Sequence, residues 1–222
     1  MFELPPSLLA ALTGFISGLF LSIPVGPVNL SIINEGARRG FQWAIMISLG
    51  AVVMEVIYCA LAFTGFASFF SRGYIKAAME LFSFVFMLYL GLKFLLARQI
   101  EASNKIEERI EGKLRPTSAF TTGFVRVMGN PGVLLFWIVL AANFISRELV
   151  EPNGRGKFSC IAGVAVGTGL WFFGLSYAVS LGHKKFSEKT LLRMEHFSGI
   201  GLLALAVGHG VHIIWVMARH KM

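Results

Sequence analysis

The stretch "LSIPVGPVNLS" (residues 21–31) places two prolines and a glycine inside an otherwise apolar run. A proline has no backbone N–H, and its ring collides with the carbonyl group one turn earlier in an α-helix. Pro24 and Pro27 therefore predict that one helix ends and another begins within this run. Gly26 is acceptable at the N-cap of the new helix, and Pro27 suits its first position.

A second interruption of the same design is "GNPG" (residues 129–132). Asn130 is a favoured N-cap residue, and Pro131 again suits the first helical position. The start of a helix presents N–H groups without intrahelical partners, together with the positive end of the helix dipole. Two such starts that face each other would bind an anion, such as the carboxylate of an amino acid. The alternative is a pair of ordinary proline kinks without a ligand.

The composition indicates a membrane protein. Of the 222 residues, 55% are hydrophobic and only 14% are charged, whereas about 25% are charged in a typical soluble domain. Apolar runs of about 20 residues recur along the chain, as in membrane-spanning helices, and the alternating pattern of a membrane β-barrel is not found. We therefore predict an all-α polytopic membrane protein, with residues 1–222 in a single transmembrane domain.

The apolar runs predict six transmembrane helices, of which helices 1 and 4 are broken at Pro and Gly. They cover residues 7–35, 41–69, 75–97, 118–145, 158–181 and 197–218. A charged linker, 98–117, separates a first half, 1–97, from a second half, 118–222. Because each half has three helices, the halves would enter the membrane in opposite orientations. This arrangement predicts an inverted repeat, which is frequent in secondary transporters.

The charged residues predict the orientation of the chain. Lys and Arg are more numerous in the loops after helices 1, 3 and 5 than on the other side, which favours both termini outside. The formal charge of +8 therefore suits loops that meet lipid headgroups, and no nucleic acid partner is predicted. The N-terminus has no Lys or Arg before its apolar run, so we expect it to remain as helix 1 and not to be removed as a signal peptide.

Glu55 lies near the centre of predicted helix 2, among small residues such as Ala51 and Cys59 on the same face. Its side chain is therefore expected to point into the helix bundle. A carboxylate inside a membrane is costly and marks a functional position. We expect Glu55 to carry a proton or to contact a cation. The alternative is a structural pair with Arg126.

Arg126 is four residues before Asn130, so both share one face at the second interruption. Arg126 could bind a substrate carboxylate, pair with Glu55 or extend to the membrane surface. Asn29 follows the first interruption closely and is predicted as a further site residue. With Pro24, Gly26, Pro27, Asn130 and Pro131, these residues form the predicted substrate site.

Two histidines, His209 and His212, share one face of predicted helix 6. A packed or interfacial pair is preferred over a metal site, although His209 is a candidate proton relay. No metal site, cofactor motif or signature of an enzyme is found, so a protein that is not an enzyme is predicted.

Three pairs of glycines have the spacing that allows helices to approach closely. They are Gly14 with Gly18, Gly36 with Gly40, and Gly163 with Gly167. Such pairs serve packing within a chain or the interface of a homodimer. The sequence leaves both uses open.

The stretch "PVGPVNLSIINEGARRGFQWAIMISLGAVVMEVIYCALAFTG" (residues 24–65) resembles the N-terminal signature of the LysE/RhtB family of amino acid exporters. The residues that carry this resemblance are Pro24, Gly26, Pro27, Gly40, Gly50, Ala51, Glu55, Tyr58 and Gly65. Three later stretches, "NPGVLLFW" (130–137), "GVAVGTGLWF" (163–172) and "MEHFSGIGLLALAVG" (194–208), resemble further signatures of the family. Three positions depart from its pattern: Glu55, where Asp is usual, Met54 and Gly132.

The resemblance implies six helices and export across the bacterial cytoplasmic (inner) membrane, driven by an ion gradient. Together with the residues, it predicts a secondary transporter that exports a small metabolite, an amino acid above all, in exchange for protons. The alternatives are an exporter of metal or inorganic ions, with Glu55, Asn130 and His209 as ligands, and a membrane scaffold. The expected partners are the substrate, protons and the lipid bilayer. A second copy of the chain, in a homodimer, is a further candidate partner.

Overall fold

The computed structural model of the chain describes residues 4–66, 73–99, 105–114, 117–181 and 187–219. Within these ranges the regular structure is helical. The helices are α1 Pro6–Ser22, α2 Pro27–Arg39, α3 Phe41–Leu61 with a π-helical continuation Ala62–Phe66, α4 Gly73–Leu95, α5 Lys105–Leu114, α6 Ala119–Met128, α7 Pro131–Ser146, α8 Gly154–Leu181 and α9 Glu188–Arg219.

In the part of the chain that the structure describes, three helices are long and apolar enough to cross a membrane: Phe41–Thr64, Gly154–Leu181 and Lys189–Gly208. Two further spans are added if each bent pair is counted as one, namely α1 with α2 and α6 with α7. The apolar stretch found in α4, Phe84–Leu95, is shorter. The all-α, polytopic character is therefore confirmed, whereas the number of six helices remains a prediction.

Both predicted helix breaks are present in the structure. Gly26 is the N-cap of α2 with extended backbone, and Pro27 is the first residue of that helix. Asn130 is the N-cap of α7, and Pro131 is the first residue. The chain bends by 68° between α1 and α2 and by 64° between α6 and α7.

The glycines of α1 and α8 bring these two helices into backbone contact. A Cβ atom at Gly14 would overlap with the carbonyl oxygen of Cys160, and one at Gly163 would overlap with that of Ala11. Gly18 and Gly167 are similarly close to the partner helix. The two predicted glycine pairs therefore serve packing within the chain and are not free for a homodimer.

The helices α3 and α6 meet in the same manner. A Cβ atom at Gly50 would overlap with the carbonyl oxygen of Phe120, and one at Gly123 would overlap with that of Ile47. In addition, α4 packs along α9, and α3 contacts α8. The first helix of each predicted half thus packs on the second helix of the other half.

Large apolar side chains are exposed in rows along the outer surface. On α1 the row consists of Leu8, Leu12, Ile16 and Phe20, and on α3 it consists of Met46, Leu49, Val53, Ile57 and Leu61. A helix that is apolar on its buried and exposed faces is typical of a membrane span. These rows are the surfaces that lipid tails would cover.

Candidate functional site

Both helix breaks line one cavity of about 770 Å³. This volume lies in the range of roughly 300–1,000 Å³ that is common for small-molecule sites. Among the residues that line it are the predicted site residues Pro24, Gly26, Pro27, Asn29, Glu55, Arg126 and Asn130. Pro131 begins α7 between two lining residues, Asn130 and Gly132. The side chain of His209 lies outside the part of the chain that the structure describes.

Asn29 holds the first break together. Its side-chain nitrogen donates to the carbonyl oxygens of Ser22, at 2.9 Å, and Pro24, at 2.6 Å. Its side-chain oxygen accepts a hydrogen bond from the indole nitrogen of Trp171 on α8, at 3.3 Å. Asn29 is only 2% exposed. Its amide therefore satisfies carbonyl groups at the end of α1 that have lost their helical partners.

The N–H group of Val25, in the same break, has a distant partner. It donates to Oε2 of Glu195 on α9, at 2.8 Å. Glu195 is 8% exposed and also lines the cavity. The sequence did not predict this residue as part of the site, because the last apolar segment was predicted to begin two residues after it.

The second break is held by nearer groups. The side chain of Asn130 accepts a hydrogen bond from the N–H of Gly132, at 3.0 Å. The hydroxyl group of Tyr58 on α3 donates to the carbonyl oxygen of Met128, at 2.7 Å. Asn130 therefore acts as the N-cap that its residue type predicts, and Tyr58 satisfies a carbonyl group at the end of α6.

Glu55 is buried inside the bundle, as predicted, with 6% of its surface exposed. Its Oε2 accepts a hydrogen bond from the indole nitrogen of Trp137 on α7, at 2.8 Å. Trp137, which sequence reasoning missed, is therefore a hydrogen-bond partner of this carboxyl group. A tryptophan six residues after a helix-starting proline carried no signal of this contact.

Arg126 connects the two breaks. It lies in the last turn of α6, and its Nη1 donates to the carbonyl oxygen of Pro27 in the first turn of α2, at 3.1 Å. This contact places a guanidinium group between the two helix starts, on the wall of the cavity. Arg126 therefore lies on the wall of the cavity, beside the first turn of α2, and its role toward a substrate stays a prediction.

The cavity wall carries charges of both signs and a large apolar surface. Its carboxyl groups are Glu55 and Glu195, and its cationic groups are Lys93, Arg98 and Arg126. Phe86, Phe94, Phe136, Trp137 and Phe172 contribute aromatic surface. Such a wall has partners for an anionic group, a cationic group and an apolar side chain of a bound molecule. Among the described residues, no group of three or more His, Cys, Asp or Glu could hold a metal ion.

The chain is similar to known exporters. A sequence model described as "LysE type translocator" matches residues 19–212. A protein of Bacillus subtilis (strain 168) that is named amino acid efflux protein YcgF is 26% identical over 204 residues, covering 90% of this chain and 94% of that protein. The arginine exporter protein ArgO of Shigella flexneri is 30% identical over 168 residues, covering 73% of this chain and 74% of ArgO. No solved structure matches the chain.

The match covers both helix breaks, Glu55 and the cavity between them. It confirms the resemblance that the sequence motifs carry. Members of this family are membrane transporters, and the similar proteins are named as efflux or exporter proteins. The protein is therefore an integral membrane transporter and not an enzyme. Because the model matches residues 19–212 of the 222 residues, the chain belongs to the LysE type translocator family.

Proposed function

We propose that the protein exports an amino acid across the bacterial cytoplasmic membrane in exchange for protons. The observation that carries this proposal is the cavity, in which two helix starts, a guanidinium group and a buried carboxyl group lie together. A zwitterion needs both an anion site and a cation site, and this wall has groups for both. The names of the similar proteins, amino acid efflux protein and arginine exporter, support the same substrate class.

The substrate carboxylate is proposed to bind at the helix starts near Gly26-Pro27 and Asn130-Pro131. The first N–H groups of a helix have no intrahelical acceptor, and the helix dipole favours an anion there. Arg126, which lies between the two starts, adds a permanent positive charge. The side-chain nitrogen of Asn29 already donates to the carbonyl oxygens of Ser22 and Pro24. Asn29 is therefore proposed to hold the first break in position for the substrate.

Glu55 is proposed to couple transport to protons. It is a carboxyl group on the cavity wall, at a membrane depth where ionisable side chains are associated with ion or proton pathways. It could release its proton when the cavity opens to one side of the membrane and bind another when the cavity opens to the other side. The substrate ammonium group is its proposed partner while the proton is absent.

The transport cycle is proposed to be alternating access by an inverted repeat of six helices. The packing supports this. Exchange of the two halves turns the contact of α1 with α8 into the contact of α6 with α3, and it leaves the contacts of α3 with α8 and of α4 with α9 unchanged. In both halves a hydrogen bond also joins the second helix to the broken helix of the other half. Glu55 on α3 accepts from Trp137 on α7, and Trp171 on α8 donates to Asn29 on α2. We propose that both termini are outside, as the distribution of Lys and Arg favours.

The test is a counterflow screen in proteoliposomes that contain the purified protein. Each of the protein amino acids and a panel of divalent metal ions is offered as a labelled substrate, with and without an imposed pH gradient. We expect exchange of one or a few amino acids, with net transport driven by the gradient. Flux of metal ions without flux of amino acids would replace the proposal with a metal exporter, and the absence of any flux would refute transport of these substrates.

Proton coupling is tested with Glu55→Gln, which keeps an acceptor oxygen for Trp137 but cannot exchange a proton. We expect transport driven by the pH gradient to be lost. Exchange at equal pH should continue, but with a higher half-saturating concentration, because the variant lacks the charge that faces the substrate ammonium group. Glu148→Gln, at an exposed carboxyl group in the loop after α7, is the matched control and should transport like the wild type. Gradient-driven transport at the wild-type rate in Glu55→Gln would exclude Glu55 as the coupling residue.

A further inference from the structure

The carboxylate of Glu195 binds the N–H group of Val25, one residue before the N-cap of α2, and so lies beside the helix start where the substrate carboxylate is proposed to bind. We infer that Glu195 holds the N–H group of Val25 in the absence of substrate, and that the carboxylate of the amino acid displaces it during transport. This inference rests on the proposed function, because it assigns Glu195 a role toward an amino acid in the same cavity. It makes Glu195 an internal competitor of the substrate.

The contact between Val25 and Glu195 joins a backbone N–H group to a carboxylate. The N–H of Val25 donates to Oε2 of Glu195 at 2.8 Å, and both residues line the cavity. A carboxylate is a stronger acceptor for a backbone N–H than a neutral oxygen. An amino acid presents a group of the same kind. Because one N–H donates one strong hydrogen bond, the two carboxylates compete for it.

The two breaks differ in where the acceptors of their N–H groups lie along the chain. In the second break, the acceptor for Gly132 is the side chain of Asn130, two residues away, and it moves with the helix start itself. In the first break, the N-cap is Gly26, which has no side chain to supply an acceptor. The N–H of Val25, one residue before this N-cap, donates to an acceptor on α9, 170 residues away along the chain. This acceptor can therefore leave when α9 moves relative to the break.

The cavity wall also carries groups of opposite charge for a displaced carboxylate. A buried carboxylate without partners would be strongly unfavourable. Lys93 and Arg98 line the same cavity as Glu195, and they are cationic. A Glu195 carboxylate that leaves the N–H of Val25 therefore stays on a wall that also carries cationic groups.

The test measures how strongly Glu195 competes. In Glu195→Gln the shape and an acceptor oxygen remain, but the negative charge is removed, which roughly halves the strength of the hydrogen bond. Removal of an internal competitor raises the fraction of protein that is ready to bind substrate. We therefore expect the half-saturating concentration for exchange to fall by at least about threefold. Glu195→Asp, whose shorter side chain should not reach Val25, is the second variant and should change in the same direction.

The assay is exchange of radiolabelled L-arginine in proteoliposomes, with agmatine as the competitor that lacks the carboxylate. Radiolabelled L-leucine with isopentylamine gives the same comparison for an apolar side chain. If the counterflow screen selects another amino acid, that amino acid and its decarboxylated amine replace these pairs. We expect the half-saturating concentration of the amino acid to fall in both variants and that of the amine to stay unchanged. Glu148→Gln is the control and should change neither.

The outcomes separate the inference from the proposed function. If wild-type protein exchanges the amino acid but neither variant lowers its half-saturating concentration relative to the amine, Glu195 is only a structural cap and the inference is wrong. Equal changes in the half-saturating concentrations of the amino acid and the amine would also show that the inference is wrong. If wild-type protein exchanges no amino acid in the screen, the proposed function fails, and the inference fails with it.

Discussion

At the scale of single residues, the cavity depends on polar side chains that each connect two helices. Glu55 on α3 and Trp137 on α7 form one such link, and both are buried. A buried acceptor that loses its donor keeps the cost of desolvation without the compensating bond. Positions of this kind are therefore sensitive to changes that alter only one atom of the partner.

We expect Trp137→Phe to destabilise the protein. The phenyl ring keeps most of the packing but lacks the N–H that bonds to Glu55, at a cost of about 1–3 kcal/mol. The free energy of unfolding in detergent measures this. The control is Trp43→Phe, at a less buried position where the ring lies beside the guanidinium of Arg39. It should cost less than about 1 kcal/mol, and an equal loss in both variants would contradict a special role of the Trp137 indole.

The sequence predicted some of these residues and not others, for a physical reason. Glu55 could be placed inside the bundle because its helical neighbours are small, and Asn29 could be placed at the site because it follows the prolines. Their partners Trp137 and Trp171 are 82 and 142 residues away. Glu195 is 170 residues from Val25. No local pattern specifies contacts over such separations, so only the folded chain reveals them.

At the scale of elements, the two breaks are built differently although they look alike in sequence. Both use a cap residue followed by proline, and the chain bends by more than 60° at each break. The sequence predicted these breaks well, because the chemistry of proline and of N-caps acts within a few residues. The second break carries its own cap in Asn130, whereas the first depends on Asn29 and Glu195.

We expect Asn130→Ala to weaken the start of α7. Loss of an N-cap side chain costs about 0.5–2 kcal/mol, and the N–H of Gly132 would lose its acceptor. Asn130→Ser, which can cap a helix in the same way, should recover most of the stability. The measurement is the free energy of unfolding in detergent. Failure of serine to do better than alanine would show that capping is not what Asn130 contributes.

The glycine contacts between helices give a second prediction at this scale. We expect Gly14→Ala and Gly163→Ala to destabilise the protein by about 1–3 kcal/mol or more, because the added methyl groups overlap with backbone carbonyl oxygens. Gly174→Ala in the same helix α8 has nothing within 4 Å of the new carbon, so it is the matched control. The thermal unfolding midpoint in detergent distinguishes them. Similar midpoints for Gly163→Ala and Gly174→Ala would show that α1 and α8 are not in contact.

At the scale of the whole molecule, the proposed six helices and outside termini give definite locations for the loops. The linker would lie inside the cell, and the loop after α7 would lie outside. We expect a cysteine at Lys113→Cys to be protected in intact cells from a reagent that does not cross the membrane, and one at Glu148→Cys to be labelled. The native Cys59 and Cys160 are buried and give little background. Labelling of Lys113→Cys from outside would show that the orientation is the opposite of the proposed one.

The contact of α1 with α8 and of α6 with α3 also determines which parts can move as bodies. Glycine places each pair backbone to backbone, and each pair contains one helix from either half of the chain. We therefore expect each pair to move as one body. The halves of the sequence are thus interlaced and not separate lobes. We expect that opening of the cavity to one side of the membrane and then to the other occurs between these mixed pairs. The bends at Gly26 and Asn130 would then serve as hinges, between α1 and α2 and between α6 and α7.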